Sequence, residues 1–160
     1  LSCIAESNYG RQIETLLQHR WHDIGADANI KNVNSALMFE NSATGTLQGG
    51  HYDVALFSWN AAADPDDSAI YSGDNLAPHG QNALFWNNRI ATDAMNDALK
   101  TLDRSRRKHD YEIVQQQIAH DVPTIILFFW KEPFVYNKDL EGFKPSPVIS
   151  TFWNAWEYSI

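Results

Sequence analysis

"YDVALFSW" (residues 52–59) is the stretch on which the fold turns. It is apolar nearly throughout, with no alternation of apolar and polar positions. A strand reads this way when both its faces are covered, as in a parallel sheet flanked by helices. Upstream, "LSCIAE" (1–6) is a second short apolar run and an expected strand. After it, "NYGRQIETLLQHRWHDIG" (8–25) repeats Ile13, Leu16, Leu17, Trp21 and Ile24 at helical spacing. Gly25 then offers a left-handed helix stop. Ile30 and Val33 mark a strand in "ADANIKNVN" (26–34). Ser35 is placed to cap a helix running through Ala36, Leu37, Phe39 and Leu47 and ended by Gly49 and Gly50. The order strand, helix, strand, helix, strand predicts an α/β fold, a mostly parallel sheet flanked by helices and joined by right-handed crossovers.

Downstream, residues 60–86 read as a long loop rich in Asp, Ala, Gly, Asn and Pro, and loops of this length are usually functional or disordered. Ile90, Ala94, Ala98, Leu99 and Leu102 then mark a helix. Asp103 can cap the next one, where Tyr111, Val114 and Ile118 share a face. Pro123 opens another continuous apolar run, "TIILFFW". Beyond it, aromatics alternate with Pro133, Gly142, Pro145 and Pro147, and the tail is expected to be extended and irregular.

Composition narrows the function. With 160 residues the chain is about one domain. A net charge of −8 argues against a nucleic-acid groove, which needs a basic face. No run of about 18 apolar residues is present to span a bilayer. A single cysteine, Cys3, makes no internal disulfide and is read as a buried thiol, the lesser alternative being a lipid attachment in "LSC". The start at Leu, on the edge of an apolar run, reads as a piece of a longer protein with any leader upstream.

In open α/β sheets ligands gather at the carboxyl ends of the strands. The run ending at Trp59 delivers "SWNAAADPDDSAIYSGDN" (58–75) to that edge, with four aspartates beside an aromatic. Metal, carboxylate catalysis and plain ligand binding are the three readings. Counted from Asp64, a calcium loop would need Gly at position 6 and Glu at 12, where Ala69 and Asn75 stand. His19 and His22 are close enough to share a zinc, with no third ligand at a suitable spacing. Neither a metal nor a cofactor is expected. No nucleophile elbow, phosphate loop or dinucleotide fingerprint occurs. Two carboxylates could serve glycoside hydrolysis, but their separation is not a property of sequence. The basic run "RSRRK" (104–108) reads as a solvated face. Trp59, Trp86, Trp130, Trp153 and Trp156 could each offer a flat face with one N–H donor.

Four segments, in order, resemble the C-terminal part of the family 5 extracellular solute-binding proteins, the dipeptide-, oligopeptide- and nickel-binding receptors of bacterial ABC importers. They are "RQIETLLQHRWHDIGADANIK", "GGHYDVALFSWNAAADPDD", "GQNALFWNNRIATDAMNDAL" and "LDRSRRKHDYEIVQQQIAHDVPTIILF". The resemblance implies a type II periplasmic-binding-protein lobe, a fragment of a two-lobed protein that closes on its ligand. Residues 1–132 would be most of the second α/β lobe, and 133–160 a segment returning toward the first. It implies a receptor without catalysis for a peptide or another small solute, periplasmic or extracellular, with a lipid-anchored full-length form as a variant. Its partners would be the importer's permease and, for the fragment, a second copy held by exposed aromatics of the tail. Ser58, Trp59, Asn60, Asp64 and Asn82 are the ligand-binding residues it points to. Trp59 matches the tryptophan at the family's strand end. Three residues on, where peptide-binding members place an aspartate for the ligand's amino terminus, this chain has Ala62. A buried ammonium would there lack its partner. Asp64 stands nearest, although "DP" also suits a turn, and Asn82 has a similar alternative, capping the following segment rather than touching ligand. The alternative is a carboxylate-based hydrolase on the same scaffold.

Overall fold

A computed structural model describes residues 2–4, 8–60, 62–131, 133–146 and 149–160, the first three as backbone. The side chain of Cys3 therefore lies outside the described residues. The chain forms two compact units, Leu1–Trp59 with Asp67–Thr124, and Asn60–Asp66 with Ile125–Ile160.

The first unit is built on a three-stranded parallel sheet in the order β2–β1–β3, with β1 Ser2–Ile4, β2 Lys31–Val33 and β3 Ala55–Leu56. Ser2 pairs with Lys31 on one side and Ala55 on the other. The α/β prediction holds, but the run 52–59 is paired over only two residues, both half-buried. Helix α1 (Asn8–His22) links β1 to β2. Its end follows from Gly25, whose φ of +84° lets Gly25 N–H reach the His22 carbonyl and Ala26 N–H the Trp21 carbonyl, both at 2.9 Å. The inward face is rotated from the expected one. Ile13, Leu17 and Trp21 are partly buried, Leu16 and Ile24 are exposed, and the buried residue is Glu14 at 2% exposure.

The expected helix over residues 36–47 is corrected. Helix α2 spans only Ser35–Met38, and its cap is Asn34, which accepts from Leu37 N–H at 2.8 Å. Hydrogen bonds from the Ser42 and Thr44 hydroxyls to the Glu40 carboxylate offer the chain a turn in place of a further helical turn. Gly45 then passes so close to the Glu40 carbonyl that a β-carbon would collide with it. The chain folds back, Leu47 N–H donating to the Met38 carbonyl, and Leu47 joins Val33, Met38 and Ala83 in a core cluster.

Residues 60–86 are not one open loop. They hold the short helix α3 (Ser68–Tyr71), a 3₁₀ turn at Gly73–Asn75 and a bridge from Leu76 to Asn82. Helix α4 (Arg89–Leu99) is capped by Asn88 and α5 (Arg104–Asp121) by Asp103, as predicted for the latter. On α4 the buried face is Ala91, Thr92, Ala94, Met95 and Ala98, while Ile90 and Leu99 are exposed and Leu102, beyond the helix, is 94% exposed. This face, three alanines with Thr92 and Met95, is covered by α5, which packs against it through Val114 and Tyr111. Helix α5 stops at Val122, left-handed with φ +51°, ahead of Pro123.

In the second unit, Ile125–Trp130 forms no strand among the described residues and is exposed along its length. The tail is irregular as expected, organised around Phe143 with Phe134, Tyr136 and Tyr158 against it. Asn154, fully buried, ties Gly142 to Glu157 through its amide.

Candidate functional site

The order β2–β1–β3 means that the first connection runs from β1 to one side and the second, from β2, crosses over β1 to β3 on the other. The strand ends of β1 and β3 are therefore the switch point of the sheet, where open α/β folds leave a crevice. The β3 end supplies Phe57, Ser58 and Trp59. Phe57 turns back into the core beside Ala83 and meets Phe39 edge-on at 5.9 Å. Ser58 and Trp59 are exposed, Trp59 by 50%. With Phe57 anchored in the core, alternation turns Ser58 outward, and Trp59 is exposed because the chain has left the paired strand, which ends at Leu56.

Of the five residues singled out by sequence, Ser58 and Trp59 sit on the first unit at this strand end. Neither uses its polar group on any described residue. Asn60 and Asp64 belong to the second unit and are also exposed. Asp64 accepts from Asp66 N–H at 3.1 Å, the hydrogen bond of an aspartate shaping its own turn. Asn82 is placed differently. Its side chain has no exposed surface, and its amide donates to the Ser72 carbonyl at 2.9 Å and the Trp86 carbonyl at 2.8 Å. It staples the 72–86 segment from inside, away from any surface a ligand could reach in this unit.

The segment after the strand is held by residues that sequence reasoning passed over. Tyr52, just ahead of β3, donates its hydroxyl to the Ala83 carbonyl, and burial pushes its phenol pKa up. Thr92, buried on α4, accepts from Gly73 N–H at 2.9 Å. Asp121 at the end of α5 gathers Asn88 Nδ2 at 2.9 Å, His120 Nδ1 at 2.7 Å and Trp86 Nε1 at 2.8 Å. The hydrogen bonds from Asn88, His120 and Trp86 hold its carboxyl at about 2. Trp86 also meets Tyr71 edge-on at 6.2 Å, so its ring and N–H are both in structural use. The signal available in sequence was only a polar residue at a helix boundary. Among the described residues no three His, Cys, Asp or Glu side chains converge as a metal site would need. His22 Nδ1 lies 2.9 Å from Asp27 Oδ1. The arrangement at the β3 end of the first unit is thus a flat aromatic face and a hydroxyl at a sheet switch point. Such a surface can stack on and hydrogen-bond a solute without chemistry.

No family model matches the chain. Among curated proteins it is 28% identical over 148 residues to the oligopeptide-binding protein AppA of Bacillus subtilis, covering 89% of this chain and 26% of that one. It is 25% identical over 138 residues to the probable D,D-dipeptide-binding periplasmic protein DdpA of Escherichia coli, covering 82% and 27%. The fold matches the oligopeptide-binding protein of Thermus thermophilus, solved with a pentapeptide, at a TM-score of 0.78 and 22% identity, over 98% of this chain and 29% of that one. The chain therefore spans between a quarter and a third of the length of these relatives. The fold is that of part of a type II periplasmic binding protein, and the chain is a relative of the family 5 solute-binding proteins.

Proposed function

We propose that the chain is the ligand-facing part of the second lobe of an ABC-importer receptor, binding a peptide or another small solute without chemical change. The observation that carries this is the β3 end, where Ser58 and Trp59 are presented at the switch point with their polar groups unused by any described residue. The names of the two curated relatives, an oligopeptide-binding and a D,D-dipeptide-binding protein, support the class of ligand. Trp59 is the stacking face, Ser58 and Asn60 the flanking hydrogen-bonding groups, and Asp64 the acid nearest the missing carboxylate at position 62. Asn82 serves by holding the neighbouring segment. The protein works in the periplasm or outside the cell, and its transport partner is a membrane permease. Residues 1–132 act as the lobe and 133–160 as a segment returning to a first lobe, which also gives the exposed run at 125–130 a surface to cover it. In isolation that run offers a contact to a second copy.

The test is thermal shift of the full-length protein with dipeptides, oligopeptides, glutathione, oligosaccharides and nickel chelates. A ligand at 100 times its Kd adds about 2.7 kcal/mol to stability. A rise in Tm with one class is expected, and Trp59→Ala should remove about 2 kcal/mol of binding free energy, the loss typical of a central aromatic contact. No rise with any class, together with hydrolysis of a test substrate that Asp64→Asn abolishes, would overturn the receptor in favour of the hydrolase.

A further inference from the structure

We draw no further inference here: the strongest candidate, the cleft of about 250 Å³ at the N-terminal edge of the sheet between Trp21, Asp27, Asn29, Asp53 and Val54, is a pair of exposed carboxylates beside an aromatic, and nothing in the structure points to the ligand it would take.

Discussion

Asn82 illustrates how much of a loop one buried amide can hold. Its Nδ2 satisfies two backbone carbonyls ten residues behind and four ahead, and its own N–H donates to the Asn75 carbonyl at 2.7 Å. Asn82→Ala would leave the Ser72 and Trp86 carbonyls without these donors. The expected loss is about 1–3 kcal/mol of unfolding free energy, read as a lower urea midpoint at unchanged m-value. An unchanged midpoint would contradict the stapling role. Asp121 makes a different prediction. Its carboxyl titrates at about 2 when folded, below the unfolded value of about 3.9, so the folded state favours the ionised form. The stability it contributes is complete above the unfolded value and is lost as pH falls toward the folded one. Water reaches this group and screens it, so the effect is modest. Thermal melts across about pH 4 to 2 should show the parent chain losing stability more steeply than Asp121→Asn. Parallel slopes would remove Asp121 as the source. Sequence offered a structural role for Asn82 only as an alternative and none for Asp121, because an asparagine or aspartate in a polar stretch looks the same in sequence whether it faces water or a carbonyl.

At the scale of elements, the α4–α5 pair shows why a face can be misread while the helix is found. Spacing from Ile90 selects Ala94 and Ala98 correctly, yet Ile90 lies outside and Ala91 and Met95 lie inside. Counting from Ile90 fixes the spacing but not the phase, whereas packing against α5 sets the buried face one residue on, at Ala91 and Met95. The same interface carries a cost on α5. Asp110, one turn before Val114, is buried with its Oδ2 lacking any hydrogen-bond partner among the described residues. A buried unpaired polar group is unfavourable by about 1–3 kcal/mol, so Asp110→Ala is expected to stabilise the pair by about 1 kcal/mol. Differential scanning calorimetry should show a higher Tm, and a lower one would mean that Asp110 has a partner that matters. The short α2 is the opposite case. Its apolar residues continue the helical spacing, but Ser42, Thr44 and Gly45 favour a turn, and the helix yields.

At the scale of the molecule, Ile125–Trp130 is six consecutive apolar residues, all exposed, from 42% at Leu127 to 82% at Phe129. Contiguous apolar surface of this kind drives association. The isolated chain should self-associate with rising concentration, and Phe129→Lys should shift sedimentation toward the monomer without lowering Tm, since the side chain packs on little. A chain that stays monomeric before the change would remove this run as a contact. The order of elements was legible from the first 60 residues, because apolar runs and helical spacing report strands and helices directly. So was the display of Trp59, because an apolar strand that hands over to a polar loop must present its last side chains at the sheet edge. What sequence alone determined here is local: the left-handed stop at Gly25 and the Asp103 cap are settled by backbone geometry and hydrogen bonds within a few residues. What only the tertiary structure decided is non-local. The pairing of β3 over two residues, the inward turn of Glu14, and the burial of Asn82 depend on surfaces brought together from distant parts of the chain, and the free energy of burial belongs to the contact rather than to either segment.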